Sequence, residues 1–255
     1  MTWHAVILAA GRGADDPMAK TFGTAHKCTI PIAGKPMIDH VITALRGTNI
    51  NRPYLVSIDD LSVITPDPAD ITQLKSGSSA PASALEAISR INAFPVLITT
   101  GDHPLLTPAM INHMIKEAQV SQADVLVGLA TAETILADYP ETKRTWFNLG
   151  GTRVSGCNLF AVMNARGLGL LEAWQDLENN RKKPWKLVFA FGLKPLLLFA
   201  AGQLTPERAF NHVSRKLGIA VKPVFLPFAE AAIDVDKPSD FTLAEAILKK
   251  RSNPA

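Results

Sequence analysis

The sequence predicts an α/β fold built on a largely parallel sheet, and three observations carry that expectation. Short apolar runs of strand length alternate along the chain with segments whose apolar residues recur at helical spacing. Two of the runs, His4 to Ala9 and Val96 to Thr100, are apolar without alternation, as in strands buried on both faces. Both open into loops of glycine with charged residues, which is where an open α/β sheet places its ligands.

Taken in order, His4 to Ala9 (HAVILA) reads as the first strand, followed by a loop from Ala10 to Ile30. Met37, Val41, Ile42 and Leu45 make one apolar face, so Met37 to Arg46 is a helix. Tyr54 to Ile58 is the second strand, and the Pro, Asp and Ser content of Thr65 to Ser79 makes it a loop with room for a short helical turn. Ala82 to Ile91 is helical, and Val96 to Thr100 is the third strand. Thr107 and Pro108 are a cap and a first helical residue, with Ile111, Met114, Ile115 and Ala118 as the apolar face behind them. Asp124 to Ala130 is a strand, and Gly150-Gly151 between Trp146 to Leu149 and Val154 to Ala161 suits a hairpin. Leu170 to Asn180 and Thr205 to Lys216 are helices, Ala220 to Phe225 and Ala231 to Val235 strands, and Pro238 to Lys250 a closing helix.

Composition bounds the function classes. A chain of 255 residues, 47% hydrophobic and 19% charged, can bury one sizeable core, and residues 1–255 are expected to form one domain. A net charge of +3, with cations scattered except at Arg181-Lys182-Lys183 and Lys249-Lys250-Arg251, is too small to argue for nucleic acid. Cys28 and Cys157 lie far apart without ligand spacing, which argues against a zinc site or a disulfide framework and fits a reducing compartment. The N-terminus lacks the basic and apolar regions of a signal peptide, so a cytoplasmic location is expected. Trp185 to Leu204 is apolar over nearly the ~20 residues of a membrane span, but Lys186, Lys194 and Pro195 interrupt it. The segment reads as two short core helices broken at Gly192 to Pro195, or as a surface that docks on a membrane or a membrane protein.

The chemistry is concentrated in three segments. After the first strand comes Leu8-Ala9-Ala10-Gly11-Arg12-Gly13, where glycines let the backbone approach phosphates and Arg12, Lys20 and Lys27 can supply cations. A Gly-x-Gly there serves an ordinary tight loop equally well. It is neither a dinucleotide fingerprint, because Asp16 stands where the third glycine belongs, nor a phosphate loop ending in Gly-Lys-Ser/Thr. His26-Lys27-Cys28-Thr29-Ile30-Pro31-Ile32-Ala33-Gly34-Lys35-Pro36-Met37-Ile38 follows. The second segment is Gly101-Asp102-His103-Pro104-Leu105, and the third Asp234-Val235-Asp236-Lys237-Pro238-Ser239-Asp240.

Together these segments resemble the MobA-like and sugar-phosphate nucleotidyltransferases, whose first segment runs approximately L-A-A-G-x-G-x-R-x...K-x-L-x-P-x-x-G-K-P-h, h being apolar. The resemblance implies a three-layer α/β/α Rossmann-like, glycosyltransferase-A-like domain with a mostly parallel mixed sheet. It implies a nucleotide site formed by Leu8, Ala9, Ala10, Gly11, Gly13, Lys27 and Asp102, with Ser79 and Ser83 near the base or as plain helix caps. Lys27 and Arg12 would be catalytic cations, and Asp102 and Asp236 would hold magnesium, with Asp234 in reserve. Asn158, Arg144 and Arg153 are candidates for the acceptor, on a region, 146–222, that departs from better-known members and reads as an acceptor-side subregion. One position breaks the pattern: the family arginine falls on Asp15, and a carboxylate cannot replace that cation.

The implied reaction is attack of an acceptor phosphate on the α-phosphorus of a nucleoside triphosphate, CTP or GTP by analogy, with pyrophosphate released. Two rivals stay open. A glycosyltransferase of similar fold would use Asp234-Val235-Asp236 as a D-x-D string, and a non-catalytic nucleotide-binding module would explain Asp15 and the apolar 185–204 segment.

Overall fold

The protein is described here from a computed structural model, in which residues 1–11, 15–58, 70–180 and 193–252 are described. The strands are β1 (His4–Leu8), β2 (Pro31–Ile32), β3 (Lys35–Pro36), β4 (Tyr54–Ser57), β5 (Ile71–Leu74), β6 (Val96–Thr100), β7 (Val125–Thr131), β8 (Phe147–Leu149), β9 (Thr152–Val162) and β10 (Val221–Phe225). The helices are α1 (Pro17–Phe22), α2 (Met37–Arg46), α3 (Ala80–Ile91), α4 (Pro108–Val120), α5 (Ala132–Asp138), α6 (Leu168–Asn180), α7 (Leu193–Ala200), α8 (Pro206–Leu217) and α9 (Pro238–Ser252).

The main sheet runs β10-β7-β9-β6-β1-β4-β5, with β8 paired to β9. β1 sits between β4 and β6 and is parallel to both, Val6 lying opposite Leu55 on one side and Ile98 on the other. β9 runs antiparallel to both β6 and β7, so a mostly parallel sheet acquires a mixed centre. Alternate residues of β1 supply the two faces. Ala5 and Ile7 meet Ile38, Val41 and Ile42 of α2 and Met110, Ile111 and Met114 of α4. Val6 and Leu8 meet Ala84, Ala87 and Ile88 of α3 and Leu171 of α6. The result is three layers, helices on both faces of the sheet, as the apolar runs require.

Several expectations are corrected. Ala10 to Ile30 is not all loop: Asp16 caps α1, its Oδ1 accepting from Met18 N at 2.9 Å and Ala19 N at 3.2 Å, and a 3-10 turn covers Lys27–Thr29. Asp16 is accordingly buried. Residues 71–74 form β5 inside the stretch expected to be loop, paired with β4 and with Ile71 and Leu74 buried on opposite faces of the sheet. Ala231 to Val235 is no strand; a 3-10 turn at Ala229–Ala232 leads into a loop, and Ile233 and Val235 are buried against α9 instead of in a ladder. Residues 185–192 of the apolar segment lie outside the described residues, while α7 runs through Lys194 and Pro195 with Leu197 61% and Phe199 50% exposed, a surface helix and not a core one. Among the described residues no helix is long and apolar enough to cross a membrane.

Candidate active site

The site forms where β1 and β6 end side by side. Gly101 N donates to Leu8 O at 2.9 Å, which locks the two strand ends together. A Cβ on Gly101 would lie 3.0 Å from both Ala9 Cβ and Cys28 Sγ, so a side chain here would press on both neighbours. Asp102 follows at once, its backbone O accepting from Val235 N at 3.0 Å and so drawing the loop before α9 to the same place. The turn carrying Lys27 is capped by His26, whose Nδ1 accepts from Cys28 N at 3.1 Å.

These three loops converge on one ammonium. Lys27 Nζ lies 2.6 Å from Asp102 Oδ2 and 2.5 Å from Asp236 Oδ1. Burial opposes charge on Lys27, but the Asp102 and Asp236 carboxylates outweigh it and hold its pKa above the usual lysine range. Burial likewise opposes charge on Asp102, and Lys27 reverses the balance, so the carboxyl titrates below its ordinary value. Asp102 Oδ1 is buried and makes no hydrogen bond of ordinary geometry.

The Asp236 loop is held from below by a polar network. Arg144 donates to Asp234 Oδ1 at 2.8 Å, to Ala232 O at 3.2 Å and to the Asp240 carboxylate. Asp240 Oδ2 accepts from Asp236 N and Lys237 N, both at 3.1 Å, which orders the start of α9. Asn158 Nδ2 donates to Asp234 Oδ2 at 3.0 Å. Asn158 has φ 48° within the irregularity where β9 slips against β7, a bulge that turns its side chain out of the ladder toward Asp234. Burial, then repulsion from Asp102 and Asp236, pushes Asp234 up to about 6 in spite of Arg144.

Two cavities meet at Asp236. The larger, about 630 Å³, is lined by Leu8, Ala10, Gly11, Lys27, Ser79 and Asp102 among others. The smaller, about 180 Å³, is bounded by Lys143, Ser155, Asn158, Asp234 and Lys237. Asp236 borders both.

The positions singled out in the sequence distribute as follows. Leu8, Ala10, Gly11, Lys27, Ser79 and Asp102 border the larger cavity, Ser79 also capping α3 through Ala82 N. Ala9 is buried behind Gly101, and Ser83 is buried with its Oγ accepting from Gly77 N at 2.9 Å. Arg12 and Gly13 lie outside the described residues. Lys20 pairs with Asp15 on the exposed side of α1. Arg144 lines the smaller cavity, but its guanidinium is taken up by Asp234 and Asp240; Arg153 lies over the Trp146 ring at 5.6 Å. His103 is buried, its Nε2 3.3 Å from Glu230 O, and burial lowers its pKa to about 4. Sequence reasoning missed Glu178 at the wall of the larger cavity and Lys143 at the smaller, for which no local signal existed, and Lys237, which sits in the third motif itself.

The residues present fit a hard divalent cation. Asp102 and Asp236 direct carboxylate oxygens at one point already occupied by positive charge, and Asp102 Oδ1 is an unused buried acceptor beside it. Among the described residues no cluster of three or more His, Cys, Asp or Glu suits a metal. Two carboxylates completed by phosphate oxygens and waters are what magnesium commonly takes.

The family profile described as MobA-like NTP transferase domain matches residues 5–205. The bifunctional protein GlmU of Rhodospirillum rubrum is 33% identical over 141 residues, which is 51% of this chain and 30% of that protein. GlmU of Agrobacterium fabrum is 29% identical over 64% of this chain and 41% of that protein. The chain thus spans less than half the length of these curated relatives. Among solved structures, a hypothetical transferase from Thermus thermophilus superposes with TM-score 0.78 at 25% identity, covering 94% of this chain and all of that one (100%). The 2-C-methyl-D-erythritol 4-phosphate cytidylyltransferase of the same organism shares the fold, with TM-score 0.56 at 17% identity over 98% of this chain and 100% of that one.

Proposed function

The chain belongs to the MobA-like NTP transferase family, and from that premise we propose that it moves a nucleoside monophosphate from a nucleoside triphosphate to a phosphorylated small-molecule acceptor. The observation that carries this reading is the meeting of Lys27, Asp102 and Asp236 at the border of two cavities of unequal size. The larger suits a nucleotide and the smaller a compact phosphorylated sugar or polyol.

In the proposed step an acceptor phosphate oxygen forms a bond to the α-phosphorus while the bond to the bridging oxygen of pyrophosphate breaks in line. Two anions have to approach. Lys27 neutralises part of the converging charge, and the backbone at Gly11, on the wall of the larger cavity, faces the phosphates. Asp102 and Asp236 would hold magnesium, which supplies the remaining neutralisation when bound. The acceptor phosphate is already ionised near neutral pH, so no residue has to serve as general base. Asn158 and Asp234 orient hydroxyls of the acceptor, and Lys143 and Lys237 its phosphate.

A glycosyl-transfer reading is less well supported. Asp234 is turned toward Arg144 and Asn158 while Asp236 is turned toward Lys27, so the D-x-D string does not offer two carboxylates to one cation. The enzyme is proposed to act in the cytoplasm, with CTP or GTP as donor as the resemblance of its motifs implies. Exposed Leu197 and Phe199 on α7, beside exposed Arg208 and Arg215 on α8, are proposed to rest on a membrane surface or membrane protein.

The test is pyrophosphate release, screened over four nucleoside triphosphates against phosphorylated sugars, polyols and cofactor precursors. Asp102→Ala is expected to abolish release while the protein stays folded, at a lowered melting temperature because Lys27 loses a partner. A fully active Asp102→Ala protein would end this reading.

A further inference from the structure

Lys27 occupies the place that a cation held by Asp102 and Asp236 would need. Its Nζ makes short contacts to one oxygen of each carboxylate, 2.6 Å and 2.5 Å, and the side chain is only 13% exposed. The two carboxylates stand on loops far apart in sequence, after β6 and before α9, and Lys27 joins them through contacts spanning 75 and 209 residues. An ammonium and a divalent cation cannot share that point, because three positive charges within a few ångströms repel strongly. Nor can the ammonium withdraw alone, since that leaves the buried Asp102 carboxylate beside Asp236 without a counter-charge. The exchange therefore needs a second anion to receive Lys27 as the cation enters. The same cavity that holds Lys27 holds Gly11 and the end of β1, where the proposed function puts the phosphates of the triphosphate.

We propose that Lys27 keeps the metal position closed in the nucleotide-free protein, so that the divalent cation enters together with the triphosphate, whose phosphate oxygens draw the ammonium away from Asp102 and Asp236. The inference rests on the nucleotidyl-transfer reading and adds an order of binding to it. Lys27 then has two stations, a counter-ion to carboxylates when the site is empty and a counter-ion to phosphates when it is filled. The Asp102 carboxylate, 19% exposed, is neutralised in both.

Manganese binding, read by electron paramagnetic resonance, tests this without any turnover. Nucleotide-free wild type is expected to bind Mn²⁺ weakly, and Lys27→Met to bind it about tenfold more tightly or better. Adding Asp102→Asn to Lys27→Met is expected to erase the gain, which locates the ion. With CTP or GTP present, wild type is expected to take up Mn²⁺ as well as nucleotide-free Lys27→Met does. Equal Mn²⁺ affinity of nucleotide-free wild type and Lys27→Met overturns the proposal, as does a gain that survives Asp102→Asn. Lys27→Gln, closer to lysine in polarity, carries the same comparison if the melting transition of Lys27→Met is lost. A wild type that gains no Mn²⁺ with any of the four triphosphates counts against the proposed function, whereas a triphosphate-dependent wild type with an unchanged Lys27→Met counts against this inference alone.

Discussion

Arg144 and Asp240, 96 residues apart in the chain, form an ion pair in which each side chain is 5% exposed. The same guanidinium holds Asp234, and Asp240 in turn receives the backbone N–H of Asp236. Breaking a buried pair from one side leaves the other charge uncompensated. Arg144→Met is therefore expected to lower stability by about 3–5 kcal/mol in urea unfolding. It should also lower kcat, because the Asp236 loop loses its support. A loss confined to acceptor KM, with stability unchanged, would instead assign Arg144 to the acceptor.

Gly11 separates β1 from the His26 ring. A Cβ built on Gly11 would lie 2.5 Å from His26 Nε2, so Gly11→Ala has to displace the ring that caps the Lys27 turn. Expected is a fall of about tenfold or more in kcat/KM for the triphosphate, with a shift in melting temperature of only a few degrees. Steady-state pyrophosphate release across triphosphate concentrations checks it, and unaltered kinetics would show that the ring yields without moving Lys27.

Acid stability should depend on Asp124. Its Oδ2 accepts from Ala220 N at 2.7 Å and its Oδ1 from Asn164 Nδ2 at 2.9 Å, tying the start of β7 to β10 and to the end of β9. Burial raises the pKa of this carboxyl, but the Ala220 N–H and the Asn164 amide outweigh it and leave the carboxyl below its ordinary range. A depressed folded pKa means stability that is present above the unfolded value, about 3.9, and lost as pH falls through the folded value. Asp124→Asn is expected to cost about 1–3 kcal/mol at neutral pH and to flatten the acid limb of the urea stability profile. An acid limb unchanged by the substitution would assign it to other carboxyls.

How much of this could be read from the sequence depended on how local the cause was. β6 and the helix Met37–Arg46 were legible to the residue, since burial on both faces and an amphipathic face both write themselves into consecutive residues. Asp102 and Asp236 were legible through their motifs. β5 was not, because Thr72 and Gln73 are polar and the neighbouring composition signals a loop, while only pairing with β4 makes Ile71 to Leu74 a strand. Ile233 and Val235 mimic strand alternation, but their burial comes from packing against α9. The Asp16-Pro17 pair is a legible cap and first helical residue, overlooked because α1 is only six residues long. Arg144 reads as an exposed cation from its surroundings in sequence. Its partners, at 90 and 96 residues' distance, could be known only from the fold.

Both cysteines should be silent while the protein is folded. Cys28 and Cys157 are buried, and burial pushes both thiols up, beyond the range in which a reactive thiolate forms near neutral pH. Ellman's reagent is expected to find no rapidly reacting thiol in the native protein and two after denaturation. A native thiol reacting at the rate of free cysteine would contradict the burial of one of them.

The late position of Asp236 has a consequence for how the enzyme comes into being. β9 is inserted between β6 and β7, and the second carboxylate arrives only with the loop before the last helix. During translation Lys27 and Asp102 emerge early and the closing carboxylate late. A nascent or prematurely ended chain would therefore expose the first strands and their loop without a complete cation seat. On the proposed roles of Asp102 and Asp236, nucleotide chemistry is withheld until synthesis has passed Asp236.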